Sequence, residues 1–162
     1  MILVTGGEKS GKSTYALHAA LERGTRRVFV ATAEPFDEEM DARIRRHKAE
    51  RGAAFETVEE PIEVPAVLRR CAGNDVVLVD CMTTWVGNLM HYERDVEAMQ
   101  EELLASISGN EVIVTNEVGM GVIPLGESTR LYVERLGRLN AALARRATHV
   151  VFMVSGIPMV VK

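Results

Sequence analysis

The sequence predicts an α/β fold: a doubly wound, mainly parallel sheet with helices on both faces. Short apolar runs alternate with helical stretches along all 162 residues. The runs are rich in β-branched residues and apolar on both faces, as is typical of parallel strands covered by helices. A chain of β-α-β units favours one sheet with right-handed connections. We therefore expect a single domain over residues 1–162, whose 47% hydrophobic content can fill a core.

The apolar runs predict five strands, and Phe55-Glu56-Thr57-Val58 predicts a weaker one. The five are residues 2–5, 27–31, 76–79, 112–115 and 150–154. Helical spacing of apolar residues predicts helices at about 12–23, 36–51, 62–72, 83–90, 94–107 and 128–147. Ligands of such sheets lie beyond the carboxyl ends of the strands, a boundary that we call the ligand edge.

A glycine-rich loop follows the first predicted strand and opens the first predicted helix. Its residues Gly6, Gly7, Glu8, Lys9, Ser10, Gly11, Lys12 and Ser13 match G-x-x-x-x-G-K-[ST]. Glycines let backbone N–H groups turn toward phosphate oxygens, and the helix N-terminus adds positive potential. We expect Lys12 to reach the β- and γ-phosphates and the Ser13 hydroxyl to hold Mg²⁺. A chance glycine-rich turn is disfavoured by the strand–loop–helix setting, so a catalytic domain with the P-loop NTPase fold is predicted.

A carboxylate ends the third of the strong strands. Val76-Val77-Leu78-Val79-Asp80 has the form of a Walker B strand, which delivers Asp80 to the ligand edge. Asp80 would complete the Mg²⁺ site directly or through a water. The alternative is a side chain that caps the following helix.

A basic segment precedes the weaker strand. If it is helical, Arg43, His47 and Arg51 fall at i, i+4 and i+8 and share one face. Such a face would grip a triphosphate, and the positive neighbours would keep the imidazole neutral and therefore nucleophilic. The alternative is a solvated basic helix face with an incidental histidine.

The last predicted β-α connection is polar. Asn116 and Glu117 are expected at the ligand edge, where a functional and a structural role are equally open. Arg130, Arg138 and Asn140 lie on the long last helix, and there we expect them to be solvated.

Composition excludes several classes of partner. The net charge of −4 provides no general attraction for nucleic acid or an anionic membrane, and no apolar run is long enough for a membrane span. Cys71 and Cys81 have neither metal-ligand spacing nor the density of a disulfide scaffold. We expect reduced thiols and a cytoplasmic location.

Seven segments together resemble one family. They are the glycine-rich loop, Ala31-Thr32-Ala33, Arg43-Ile44-x-x-His47-Lys48, Val79-Asp80-Cys81, Thr115-Asn116-Glu117-Val118-Gly119-x-Gly121, Gly137-Arg138-Leu139-Asn140 and Ser155-Gly156-Ile157-Pro158. In this order they resemble the bifunctional adenosylcobinamide kinase/adenosylcobinamide-phosphate guanylyltransferases of cobalamin biosynthesis.

The resemblance implies that one site phosphorylates adenosylcobinamide from an NTP and then transfers GMP from GTP, by way of a guanylyl-histidine, to give adenosylcobinamide-GDP. It implies that His47 carries the GMP and that the chain forms a homotrimer. It also implies nucleotide contacts from Thr32, Ala33, Glu34, Lys48, Ala49, Glu50, Arg51, Glu59 and Asp80. Gly52 and Phe55 stand where family members often have Pro and Trp, so the base preference there is left open.

Two other functions remain as alternatives. A monofunctional P-loop kinase for a small molecule would use Lys12 and Mg²⁺ to transfer the γ-phosphate, with His47 as a bystander. A non-enzymatic nucleotide-dependent switch would need a partner protein and no acceptor substrate. Covalent guanylylation of the protein would separate the first hypothesis from both.

Overall fold

The structure is a computed structural model that describes residues 1–35, 48 and 52–162. In these ranges lie the strands β1 (Ile2–Gly6), β2 (Arg27–Ala31), β3 (Glu56–Glu59), β4 (Val76–Asp80), β5 (Glu111–Val114), β6 (His149–Val154) and β7 (Ile157–Val160). The helices are α1 (Lys12–Leu21), α2 (Val64–Arg70), α3 (Met82–His91), α4 (Val96–Ser106) and α5 (Glu127–Arg146), with a 3₁₀ turn at Gly52–Ala54. Apart from Lys48, the predicted helix at 36–51 lies outside the described residues.

The seven strands form one sheet in the order β3-β2-β4-β5-β1-β6-β7. All neighbouring pairs are parallel except β6 and β7. The register places Glu59, Ala31, Asp80 and Val114 level with one another across β3, β2, β4 and β5. The carboxyl ends of four strands therefore meet in one row, which is the predicted ligand edge.

Helices cover both faces of this sheet, as predicted. On one face, α2 to α5 bury apolar side chains such as Leu68, Trp85 and Leu139. On the other, α1 packs through Ala16 and Ala20, whose small side chains let the helix approach the strands closely. No helix in the described part of the chain combines the length and the apolar character needed to cross a membrane.

Phe55 belongs to the core on the α1 face. It is buried, and its ring meets Phe29 edge to face with centroids 6.3 Å apart. Such aromatic pairs add about 1 kcal/mol to the free energy of unfolding beyond the area they bury. Phe55 therefore fills the core next to β2.

The sequence did not predict β7. Ser155 and Gly156 form a two-residue turn with φ of 50° and 85°, and this backbone matches the twist of an antiparallel hairpin. Pro158 is tolerated because β7 is an edge strand. A Ser-Gly pair between apolar runs is a hairpin signal, but β7 is exposed on both faces and shows no alternation of apolar and polar residues.

At the amino ends of the strands, away from the ligand edge, Asp75 joins the turn before β2 to the start of β4. Its carboxylate accepts from the backbone N–H groups of Thr25 and Arg26, each at 2.9 Å, and from the Arg26 guanidinium. These hydrogen bonds, the backbone one from Arg26 first, lower the pKa of Asp75 to about 2. The ionised carboxylate therefore stabilises this corner of the fold.

Candidate functional site

The glycine-rich loop leaves β1 in a conformation that requires glycine. Gly6 has φ of +147°, and a Cβ built on it would lie 2.5 Å from the carbonyl oxygen of Met153. Gly11 has φ of 93° and is the N-cap of α1. Since Gly11 has no capping side chain, the first N–H groups of α1 stay available at the mouth of the loop.

Lys12 and Ser10 lie under this loop. Lys12 is 6% exposed, and its ammonium donates to the carbonyl of Gly7 and lies 3.5 Å from Ser10 Oγ. Ser13 follows in the first turn of α1 and is half-buried. A lysine and a hydroxyl thus stand at a helix N-terminus, the arrangement predicted for a phosphate site.

Contacts from two other segments hold the loop in place. The N–H of Gly156, in the β6–β7 turn, donates to Ser10 O at 3.1 Å, and the N–H of Glu117 donates to Gly6 O at 3.0 Å. The side-chain amide of Asn116 donates to Glu8 at 2.9 Å. The polar connection after β5 therefore braces the loop, which favours the structural role left open for Asn116 and Glu117.

Asp80 ends β4, one strand removed from β1. Since β5 lies between them, the strands that carry Asp80 and the loop are about 10 Å apart. Within residues 1–35, 48 and 52–162, no three histidine, cysteine or acidic side chains cluster as they would around a metal held by protein alone. The oxygen atoms of Ser13 and Asp80 are of the kind that would suit Mg²⁺, which would take its other ligands from phosphate and water.

Thr32 has a structural role that the sequence did not indicate. It is fully buried, and its hydroxyl donates to Cys81 O at 2.8 Å and accepts from Cys81 N at 2.9 Å. Its hydroxyl therefore joins the end of β2 to the end of β4, and its backbone N–H also donates to Asp80 O at 3.3 Å. Thr32 thus holds two strand ends together, and the residues that follow it are the ones more open to a ligand.

Ala33 and Glu34 follow Thr32 at the ligand edge, and both are half-buried. One carboxylate oxygen of Glu34 accepts from the Tyr92 hydroxyl at 3.2 Å. The other is buried and has no hydrogen-bond partner among the residues that the structure describes. The hydrogen bond to Glu34 raises the pKa of Tyr92, so Tyr92 remains a neutral donor at physiological pH.

Glu59 and Lys48, two predicted nucleotide contacts, meet at the end of β3. Their charged groups lie 3.1 Å apart, and both side chains are exposed. The pair places Lys48 beside the same row of strand ends as Asp80. His47, Ala49, Glu50 and Arg51 lie outside the described residues, as does Arg43, so the predicted basic face is not observed.

The Cys81 thiol shows no sign of nucleophilic function. Burial, followed by the charge of Asp80, raises the pKa of Cys81, and its sulfur lies 3.3 Å from Thr84 Oγ1. Both Cys81 and Cys71 are free thiols. A protonated, hydrogen-bonded thiol is a packing group rather than a reactive one.

The expectation that Asn140 is solvated was wrong. Asn140 is 8% exposed; its side chain accepts from Thr115 Oγ1 at 2.7 Å and donates to Asn116 O at 3.0 Å. Asn140 continues the buried stripe of Leu136, Leu139 and Leu143 on α5, and that spacing was the signal that sequence reasoning missed. Arg130 and Arg138 are exposed as expected.

The glycine-rich loop between β1 and α1, at the ligand edge of a mainly parallel sheet, defines the P-loop NTPase fold. The flagellar accessory protein FlaH from Methanocaldococcus jannaschii shares this fold: the alignment covers 99% of this chain and 77% of that one, with a TM-score of 0.51 and 15% identity. Within this class, the chain belongs to the cobinamide kinase / cobinamide phosphate guanyltransferase family, whose model matches residues 2–161. The resemblance noted in the sequence is thereby confirmed.

Named relatives align over nearly their whole length. The bifunctional adenosylcobalamin biosynthesis protein CobP of Pseudomonas aeruginosa is 41% identical over 167 residues, which cover 99% of this chain and 96% of that protein. The corresponding protein CobU of Escherichia coli is 36% identical over 181 residues, covering 100% of this chain and 99% of that one.

Proposed function

We propose that this protein is a bifunctional enzyme of cobalamin biosynthesis, which phosphorylates adenosylcobinamide and then converts the product to adenosylcobinamide-GDP. The observation that carries the proposal is the phosphate loop built around Gly6, Gly11 and Lys12, in a chain that matches the family over residues 2–161. The loop serves both steps, because both require an oriented triphosphate.

In the first step, the acceptor hydroxyl attacks the γ-phosphorus of an NTP. The bond to the β-phosphate oxygen breaks, the hydroxyl proton is lost, and an NDP leaves. Lys12 and the N–H groups of the loop orient and neutralise the phosphates. Ser13 and Asp80 would hold Mg²⁺, which would neutralise further phosphate charge. Gly7, Glu8, Lys9 and Ser10 complete the predicted loop contacts.

In the second step, a neutral His47 nitrogen attacks the α-phosphorus of GTP and pyrophosphate leaves. An oxygen of the cobinamide phosphate then attacks the same phosphorus and frees the histidine. The position of Lys48, paired with Glu59 at the end of β3, supports a nucleotide near this part of the edge. The predicted contacts from Thr32, Ala33 and Glu34 border it, and those from Ala49, Glu50 and Arg51 remain predictions.

We also propose a homotrimer. Two segments expose apolar side chains that an isolated chain has no reason to present to water. The connection before α5 carries Met120, Val122, Ile123 and Leu125, of which Val122 and Leu125 are 95% and 98% exposed. The hairpin strand β7 exposes Ile157, Met159 and Val160. Contiguous apolar surface of this kind marks protein–protein contacts.

The cytoplasm is the proposed location, and the free thiols Cys71 and Cys81 support it. The proposed partners are GTP or ATP and a corrinoid, without nucleic acid.

Mass spectrometry of the intact protein tests the proposal. After incubation with Mg²⁺ and GTP, the protein should carry an acid-labile GMP adduct on the peptide that contains His47, and pyrophosphate should be released. The matched variant His47→Asn should form no adduct and retain cobinamide phosphorylation. An unlabelled wild-type protein that still phosphorylates cobinamide would establish the monofunctional kinase instead. Neither activity, with nucleotide bound, would favour the switch.

A further inference from the structure

Asn88 lies inside the ligand edge, at a place that no sequence motif marks. Its side chain projects from α3 and is 3% exposed. The amide nitrogen donates to two backbone carbonyls, Thr32 O at 2.8 Å and Pro61 O at 3.1 Å. An amide has two N–H bonds to give, so both donors of Asn88 join the loop after β2 to the loop after β3.

These two loops, together with the end of β3 that leads into the second, carry most of the described residues for which a nucleotide contact is predicted outside the phosphate loop. Thr32, Ala33 and Glu34 lie on the first loop, and Glu59 ends β3 two residues before Pro61 of the second. Lys48 pairs with Glu59. Asn88 therefore sets the distance between the loop after β2 and the loop after β3. The nucleotide of the guanylyl step is proposed to bind beside these two loops.

Other hydrogen bonds also tie α3, and the residue before it, to these two loops. One turn before Asn88, the indole N–H of Trp85 donates to Ile62 O at 2.7 Å. The Thr32 hydroxyl exchanges two hydrogen bonds with Cys81, just before α3. The hydrogen bond to Thr32 O is buried, so that carbonyl would have no ready replacement if it lost its donor, and the loop would shift to find one.

A separate set of contacts braces the phosphate loop. Asn116, Glu117 and Gly156 hold it directly, and Asn140 supports Asn116 from α5. The two halves of the ligand edge are thus each tied by a buried asparagine: Asn88 on the β2–β3 side and Asn140 on the phosphate-loop side. Loss of the Asn88 hydrogen bonds should therefore slow guanylyl transfer more than phosphorylation.

We infer that Asn88 is a positioning residue for guanylyl transfer, which fixes the loop of Thr32–Glu34 against the loop of Pro61 that follows Glu59. The inference rests on the proposed function. Its consequence is a change in the ratio of the two activities, whereas a purely structural residue would lower both together.

Three variants test this role. Asn88→Asp keeps the size of the side chain, but its carboxylate can only accept and so donates to neither carbonyl. Asn88→Ala removes the amide altogether, and Asn88→Ser keeps one donor. Asn140→Asp is the matched control, since it makes the same chemical change at an equally buried amide on the other half of the edge. Each protein is assayed for cobinamide phosphorylation and for formation of the acid-labile GMP adduct, at a temperature where its melting curve shows it folded.

In Asn88→Asp and Asn88→Ala, adduct formation should slow about tenfold or more relative to phosphorylation. Losses of this size are expected when the nucleotide is displaced slightly from the attacking group. Asn88→Ser should fall between these and the wild type. Asn140→Asp should lower both activities by similar factors. Parallel losses or unchanged rates in the Asn88 variants would overturn the inference, while a wild-type protein without an adduct would overturn the proposed function itself.

Discussion

The side-chain amide of Asn116 donates to the carboxylate of Glu8 at 2.9 Å, across 108 residues of sequence. The bond connects the phosphate loop to the connection after β5, where the N–H of Glu117 also holds Gly6 O. A glycine-rich loop is stabilised in its phosphate-binding shape only if its surroundings restrain it, because glycine has the greatest conformational freedom to lose.

Asn116→Asp should weaken nucleotide binding, because it places a second carboxylate against Glu8. We expect KM for the nucleotide to rise about threefold to tenfold, which corresponds to the roughly 1 kcal/mol typical of one hydrogen bond. The double variant Glu8→Gln/Asn116→Asp reverses donor and acceptor and should recover much of the loss. Steady-state kinetics of all three proteins measure the coupling. Equal KM in the single and double variants would show that the contact does not act on the site.

Lys12→Ala should impair both reactions, because in the proposed mechanism both depend on a triphosphate that its ammonium orients. We expect kcat/KM for each step to fall about 100-fold or more, equivalent to roughly 2.7 kcal/mol of lost transition-state stabilisation. Arg145→Ala, an exposed cation at the end of α5, is the control and should change neither. A Lys12 variant that loses only one of the two activities would contradict a shared phosphate site.

Gly6→Ala should destabilise the protein, because the new methyl group would lie 2.5 Å from a backbone oxygen of β6. The positive φ adds strain, and together they should cost about 2–4 kcal/mol of the free energy of unfolding. Gly7→Ala is the matched control for stability: a Cβ there meets no atom within 4 Å. Urea denaturation compares the two variants, and similar midpoints would refute the steric argument.

Asp75 predicts a pH dependence of stability. Its pKa falls from 3.8 to about 2 in the folded protein, so the folded state favours the ionised carboxylate. That stabilisation is present above about pH 4 and is lost as the pH falls toward 2. Asp75→Asn should therefore be less stable than the wild type at pH 7, and the difference should shrink below pH 4. Thermal melting of both proteins from pH 7 to pH 2 measures it; a constant difference would rule out titration of Asp75 as the cause.

Val122→Ser combined with Leu125→Ser should weaken subunit association if the apolar connection before α5 forms the proposed trimer contact. Both side chains are almost fully exposed in the isolated chain, so the fold of the monomer should tolerate the change. Sedimentation velocity would show a shift from trimer to monomer. The control variant Glu101→Gln/Glu102→Gln on α4 should leave the mass of the assembly in solution unchanged. An intact trimer in the serine variant would place the interface elsewhere.

The sequence predicted the parallel strands well, for a physical reason. Strands buried on both faces must be continuous apolar runs, and the five strong predictions end within one residue of β1, β2, β4, β5 and β6. The weaker run gave β3. The strand β7 is exposed, so it does not need apolar residues on both faces, and the sequence analysis did not predict it.

The buried amides escaped prediction for a different reason. Asn88 and Asn140 bind partners 56 and 24 residues away in the sequence. Most of those partners are backbone carbonyls, which every residue has, so no residue type in the sequence marks them. The same holds for Thr32, whose predicted role in nucleotide contact gave no indication of its bonds to Cys81. Motifs thus located the phosphate loop, while the contacts that brace it required coordinates.

The hydrogen bond from Gly156 N to Ser10 O makes the outer hairpin and the phosphate loop thermodynamically linked. Any contact that immobilises the β6–β7 turn spares the loop part of the entropy it would otherwise lose when a triphosphate binds. By reciprocity, nucleotide would strengthen that contact by the same factor. If β7 lies at a subunit boundary, quaternary assembly and substrate affinity are a single coupled equilibrium, and the apparent nucleotide affinity would rise with protein concentration.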